Sequence, residues 1–261
     1  MPTFFDQLNR EITIADKAEL KIVSIVPSQT EFLFDIGLAD QILGITKFCI
    51  HPKKYFKSTT KIGGTKTLDL QKIRELQPDI IIANKEENEQ SQIEELEKEF
   101  PIYISDIYTL DDSFEMMLSL GEIFNKSDEA IQLVNHIRES FKNLKYFNNR
   151  RVAYFIWREP WMLASRNTFI DHILEISGHI NVAKELNSEA RYPAISLTEL
   201  KSLEAFDIYL SSEPYPFKEK HIAELQAEFP QSKIKLVDGE MFSWYGSRLQ
   251  YTAGYFVTGD L

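Results

Sequence analysis

The chain has 261 residues, 43% hydrophobic and 26% charged, and its 40 acids against 29 bases leave a net charge of −11. This is the composition of a packed globular protein, with room for one large domain or two lobes. So acidic a surface repels phosphate backbones and anionic lipid, which excludes nucleic acid and membrane surfaces as preferred partners.

Other absences narrow the field further. The single cysteine, Cys49, rules out an internal disulfide and a cysteine-based metal site. No stretch approaches the ~20 apolar residues of a membrane span, so no membrane insertion is expected. The first residues carry no basic leader ahead of an apolar run. A cytoplasmic location is therefore expected for the chain as written, and a periplasmic one where a leader has been removed.

Strands and helices alternate from Lys21 onward. KIVSIVP (Lys21–Pro27) is a continuous β-branched run and reads as a buried strand. The helix after it takes Ser28 as N-cap, Glu31 at the capping-box position and Gly37 as its stop. QILGITKF is a second strand, and DLQKIREL a helix ending before Pro78. DIIIAN is a strand buried on both faces, SQIEELEKEF a helix and PIYISD a fourth strand. Ser127–Phe147 places Ala130, Leu133, Val134, Ile137, Phe141 and Leu144 at helical spacing. Ser127 caps this helix, Asp128 and Glu129 suit its dipole, and it spans roughly 30 Å.

The rhythm then restarts. RVAYFIW is a strand, TFIDHILEISG a helix capped by Thr168 and stopped by Gly178, and SLTELKSL a short helix. FDIYLSS and KIKLVDG are strands, FKEKHIAELQAEF lies between them as a helix, and SRLQYTAGYFVTG is the last helix. The reading is α/β: two Rossmann-like lobes with mostly parallel sheets, residues 1–126 and 148–261, joined by one long backbone helix at 127–147.

Catalytic templates are absent: there is no G-x-S-x-G elbow, no P-loop and no G-x-G-x-x-G. GGTKT (Gly63–Thr67) reads as a tight or ligand-facing turn. The five histidines His51, His136, His172, His179 and His221 show no H-x-x-x-H spacing. His136 with Glu139 reads as a solvated pair and His172 as a structural histidine, which leaves His51, in a loop after a strand, as the least implausible ligand. The acidic stretch Lys85–Glu99 reads as a solvated helical face.

Aromatic residues carry more. Trp157, Arg158 and Trp161 stand where a strand ends, Arg191 and Tyr192 lie in a loop, Tyr215 and Phe217 follow another strand, and Trp244, Tyr245 and Arg248 sit in FSWYGSR. Open α/β sheets bind ligands beyond their carboxyl strand ends. Any one of these residues reads most simply as core; as a set with interleaved arginines they point to a ligand cleft.

KIVSIVPSQTEFLFDIG, IGGTKTLDLQKIRELQPDIIIA, NTFIDHILEISGHINV, RYPAISLTEL and GSRL together resemble the helical-backbone (class III) solute-binding proteins that serve ABC importers of cobalamin and ferric siderophores. The resemblance runs from about Lys21 to the C-terminus. It implies two lobes held by one long helix with the ligand in the cleft between them. By position it puts Pro27, Ser28, Phe48, Gly63 and Gly64 at the ligand from the first lobe, and Trp157, Tyr192 and Trp244 from the second. Arg248 matches an arginine that begins the last helix and either faces the ligand or caps the fold. An ABC permease is the implied partner, but its docking glutamates fall at Gln71 and Thr198, with Glu75 and Glu199 nearby.

Taken together, these residues give the expectation of a monomeric, non-enzymatic binding protein for a small-molecule metal chelate. A corrinoid is the first ligand and a ferric siderophore or haem the second, with no covalent cofactor, catalytic residue or protein-held metal. Trp157, Tyr192, Trp244 and Tyr245 would supply stacking surface, and Arg158, Arg191 and Arg248 would pair with polar ligand edges. The alternatives are a metal–tetrapyrrole enzyme such as a chelatase, with His51 as its first candidate, and a direct zinc or manganese receptor, which the sparse histidines disfavour.

Overall fold

The computed structural model describes residues 1–142, 144 and 149–258. Apart from Leu144, the expected helix end at 143–147 lies outside them. The chain divides into two compact units, one of Met1–Ile107, Asp111–Ile137 and Tyr245–Arg248, the other of Tyr108–Leu110, Arg138–Trp244 and Leu249 onward.

The first unit holds β1 (Thr3–Phe5), β2 (Glu11–Thr13), β3 (Ile22–Ser24), α1 (Pro27–Asp35), β4 (Ile42–Ile45), α2 (Lys53–Ser58), β5 (Thr60–Lys61), β6 (Gly63–Gly64) and β7 (Thr67–Leu68). It continues through α3 (Leu70–Leu76), β8 (Ile80–Asn84), α4 (Gln90–Leu96), β9 (Ile102–Ser105), α5 (Leu110–Ile123) and the start of α6 (Ser127–Lys142). Its five-stranded sheet runs β5-β4-β3-β8-β9 with every pairing parallel. A parallel sheet is covered on both faces, and the central strands show it: Ile22, Val23 and Ile80 through Ala83 are fully buried. Each such isoleucine contributes roughly 1.5–3 kcal/mol relative to exposure.

Local chemistry sets the helix ends. In α1 the proline occupies the first helical position, where a missing N–H costs nothing, so the cap position falls on Val26 with no side-chain cap. Ser28, expected as the N-cap, therefore lies inside the helix, and Glu31 is not part of a capping box. In α3 the Asp69 side chain accepts from the Lys72 N–H at 3.0 Å, and the helix ends at left-handed Gln77, before Pro78. GGTKT forms the tight hairpin β6–β7; Gly63 has φ 98°, and a Cβ there would collide with the Thr67 backbone.

The β1–β2 hairpin was not anticipated from the sequence. Its connecting residues reach the outer edge of β9. Asp6 Oδ2 accepts from the Ile104 N–H (3.2 Å), Gln7 Oε1 accepts from the Asp106 N–H (3.1 Å), and Arg10 Nη2 donates to the Ile102 carbonyl (3.0 Å). Side chains thus satisfy backbone groups that a neighbouring strand would otherwise pair.

The second unit takes up the end of α6, then β10 (Arg150–Trp157), β11 (Trp161–Leu163), α7 (Phe169–Ile176), β12 (His179–Asn181), β13 (Ala194–Ile195) and α8 (Leu197–Lys201). β14 (Asp207–Ser211), α9 (Glu219–Glu228), β15 (Ile234–Val237), α10 (Glu240–Ser243) and α11 (Leu249–Thr258) complete it. β10 pairs in parallel with β12 and β14, and β14 with β15, while β11 and β13 add an antiparallel flank. Phe155, Ile208, Leu210, Phe217, Leu225 and Phe229 belong to its core. Thr168 caps α7 as expected, accepting from the Asp171 N–H at 3.1 Å, and Ser196 with Glu199 forms a capping box on α8. The α/β class with two mainly parallel sheets is as read from the sequence.

Candidate functional site

All strands of the first unit's sheet point the same way, so their carboxyl ends share one edge. Beneath that edge lies a buried polar network. Ser24 Oγ and Thr30 Oγ1 are 2.7 Å apart, and the Thr30 and Thr46 hydroxyls flank Cys49 Sγ at 3.2 and 3.1 Å. Burial pushes the Cys49 thiol pKa up, so it stays a small inert thiol. Asn84 accepts from the Glu86 and Glu87 amides and donates to Ser105, which Gln29 also reaches. Above the network the loop after β4 presents Phe48 and Ile50, 49% and 41% exposed. The Phe48 ring lies beside Gly64, and Lys47 Nζ is 5.1 Å from its centroid. Pro27 is half-buried and Ser28 buried.

Tyr245–Arg248 belongs to this same unit. Tyr245 and Ser247 are buried, and the Gly246 N–H donates to Ser113 Oγ at 3.0 Å. Gly246 has φ 86° and lies against the Ser28 carbonyl. Arg248 grips Glu31 through Nε (2.9 Å) and Nη2 (2.6 Å), and both side chains are buried. Burial raises the Glu31 pKa, and the guanidinium partly offsets that rise. Tyr245, expected as stacking surface, and Arg248, expected either to face the ligand or to cap the fold, are both turned inward, and the Arg248 guanidinium holds the buried Glu31 carboxylate.

In the second unit Trp244 is also buried, at 7% exposure. Its Nε1 donates to Glu213 Oε1 at 2.8 Å, and Ser243 Oγ donates to the same oxygen at 2.6 Å. Desolvation holds the Glu213 carboxyl above the usual range. Trp244 therefore does not offer the stacking face expected of it.

Trp157 does. It is the last residue of β10 and 40% exposed, whereas Trp161 is half-buried. Its ring meets Tyr215 edge-on, with centroids 5.6 Å apart at 70°. Tyr215, in the loop after β14, packs on Phe217 at 4.8 Å. Trp161 stacks on Phe217 with the planes 2° apart and lies under Arg158 at 5.3 Å. Arg158 is committed to Glu224 (2.8 and 3.1 Å) and Glu159, an internal use rather than the expected ligand contact. Arg191 lies over two rings, Tyr108 at 4.9 Å and Tyr192 at 5.6 Å. Sequence reasoning missed Tyr108 and Ile50, since neither stands in a pattern that marks it, and it named Tyr215 without selecting it.

The remaining candidates are surface or core features. His51 and His172 are half-buried; His136 is exposed, and its neighbour Glu139 pairs with Lys142 at 3.1 Å instead. His179 is buried between Ser177 Oγ (2.8 Å) and Tyr209 Oη (3.0 Å), and burial together with Arg150 lowers its pKa to about 4. Among the described residues no three His, Cys, Asp or Glu side chains gather as a metal-ligand set, and no helix is long and apolar enough to cross a membrane. At the docking positions, exposed Gln71 donates to Glu75 at 3.1 Å, and Glu199 is held in its capping box.

Residues 22–231 match the periplasmic binding protein family. The vitamin B12-binding protein of Vibrio parahaemolyticus is 26% identical over 206 residues, which cover 77% of this chain and 72% of that one. The crystal structure of the periplasmic vitamin B12 binding protein of Vibrio cholerae superposes with a TM-score of 0.73 at 19% identity, covering 92% of this chain and 96% of that one. The periplasmic haem-binding protein of Roseiflexus gives 0.78 at 16% identity over 90% and 95%. At these identities the structures establish the fold alone. The chain belongs to the periplasmic binding protein family, a family of binding proteins and not of enzymes, which overturns the chelatase alternative.

Proposed function

Taking that membership as the premise, we propose that this protein binds a metal chelate on the Trp157–Tyr215 ring pair as the binding component of an ABC importer. A corrinoid is the first ligand and haem or a ferric siderophore the second. The observation that carries the reading is Trp157, 40% exposed at the carboxyl end of β10 and braced edge-on by Tyr215. The open part of the indole adds nothing to stability there, and macrocyclic planes stack on such a face. The relatives named for vitamin B12 and haem support the same chemistry, because both ligands are metal macrocycles with polar rims. Arg191, set over Tyr108 and Tyr192, suits a carboxylate or amide edge of such a ligand. Phe48 is the next side chain to test on the first unit.

The test is a titration with cyanocobalamin, haem and a ferric siderophore in parallel. Tryptophan quenching is followed with correction for ligand absorption. Saturable quenching by one ligand, at micromolar concentration or below, supports the reading and ranks the ligands; silence from all of them removes it. Exposed Glu75 and Glu199 would meet the permease. Charge reversal at both should abolish uptake in cells while ligand binding by the purified protein persists.

A further inference from the structure

Behind the Trp157–Tyr215 pair lies a histidine with no role so far. His221, in the first turn of α9, is 2% exposed. Its Nδ1 accepts the Lys218 backbone N–H at 2.9 Å. A nitrogen that accepts carries no proton, so in the neutral ring the proton sits on Nε2. That nitrogen is 3.4 Å from Tyr215 Oη and donates to it. The imidazole also meets the Tyr215 and Phe217 rings at 5.5 and 5.4 Å. A continuous line of contacts therefore runs from the start of α9 through imidazole and phenol to the exposed indole.

We propose that His221 is a positioning residue for the binding face: fixed as the Nε2–H tautomer by the Lys218 amide, it holds the Tyr215 phenol at the angle that keeps Trp157 presented to the ligand. The proposal rests on the reading of Trp157–Tyr215 as the ligand platform. The hydrogen bond to Oη, which lies on the ring's rotation axis, fixes where the phenol points, and the imidazole and Phe217 rings, 5.5 and 4.8 Å away, limit its turning about that axis, so together they keep one edge on the indole. A second proton on the ring would convert Nδ1 from acceptor to donor and set it against the Lys218 N–H. Burial, Lys220, Arg158 and Lys218 all oppose that proton, and Glu224 favours it. The net effect is a lowered pKa, which keeps the anchor intact at neutral pH.

Three substitutions separate the two hydrogen bonds. His221→Asn keeps an acceptor near Nδ1 but cannot reach Tyr215; His221→Gln reaches toward the Nε2 position; His221→Phe keeps the ring and loses both bonds. The three indole N–H resonances report on the tryptophans without ligand, with Trp157 assigned from Trp157→Phe and buried Trp244 serving as the fold control. The expected result is that His221→Phe and His221→Asn shift or broaden the Trp157 resonance and weaken binding of the responding chelate about tenfold. His221→Gln should restore both in part, and acid should weaken wild-type binding but not the Gln variant. Should His221→Phe fail to fold, the Asn–Gln pair decides. An Nδ1–H tautomer at neutral pH, an unmoved Trp157 resonance, or unchanged affinity in the Asn variant overturns the proposal. Unchanged affinity in Trp157→Ala removes the platform itself, and that outcome is read separately from the histidine variants.

Discussion

The stretch from Phe242 to Arg248 and the loops bearing Trp157 and Tyr215 have much the same composition: indole, phenol and guanidinium just past a strand. In the first, Trp244 and Tyr245 are 7% and 6% exposed; in the second, Trp157 is 40% exposed. The difference comes from partners far away in sequence. Glu213 lies 31 positions before Trp244, and Glu31 lies 217 before Arg248. Where a buried carboxylate waits, as for Trp244 and Arg248, the side chain becomes structure; Trp157 has no such carboxylate against its ring among the described residues and stays more open.

The sharpest way to break the comparison is Arg248→Met. It leaves Glu31 buried without its cation and should cost about 3–5 kcal/mol in urea unfolding at neutral pH. Pairing it with Glu31→Gln should recover much of that loss, and a cost below ~1 kcal/mol would mean that water reaches the carboxylate. Next, Trp244→Ala should lower stability by about 3 kcal/mol by opening a cavity and removing a donor from Glu213. Intact stability with lost ligand binding would reverse the assignment of that loop.

A third test concerns the core histidine of the second unit. The folded pKa of His179, about 4, lies below the 6.5 of an ordinary imidazole, so the unfolded chain takes up the proton first. Its contribution is complete above the unfolded value and fades as the pH falls toward the folded one, by up to about 3 kcal/mol. Unfolding free energies of wild type and His179→Gln at several pH values should differ in slope across that window, and parallel slopes would refute it. The smallest stability effect should come from Trp157→Ala, about 1 kcal/mol for the lost edge contact with Tyr215, although ligand affinity should fall at least tenfold. A large stability loss there would make Trp157 one more structural ring.

Thr168 and the run DIIIAN were legible in the sequence because their signals are local: a cap and its amide lie three residues apart, and a twice-buried strand reads as continuous isoleucine. Ser28 misled because Pro27 claims the first helical position, a competition that the serine alone does not reveal. β11 and β13 escaped notice because they are two or three residues long and pair across some 30 positions. The candidate site was legible only as a list of residues. Aromatic residues at strand ends were identified, but which of them stay open depends on Glu31, Glu213 and Ser113, whose proximity only the fold creates.

The hairpin that opens the chain has a consequence for the protein in a crowd of its own copies. A bare outer strand is a template on which another chain can add its backbone, and this is a common route to aggregation. Along β9, Asp6, Gln7 and Arg10 occupy amide and carbonyl positions that an intruding strand would need. Because they do so with side chains, they block the edge without offering a fresh backbone ladder in its place. A variant lacking those three side chains should scatter light at concentrations where the intact protein stays clear, with its fold spectroscopically unchanged. Clear solutions of that variant would show that the edge is harmless without its guard.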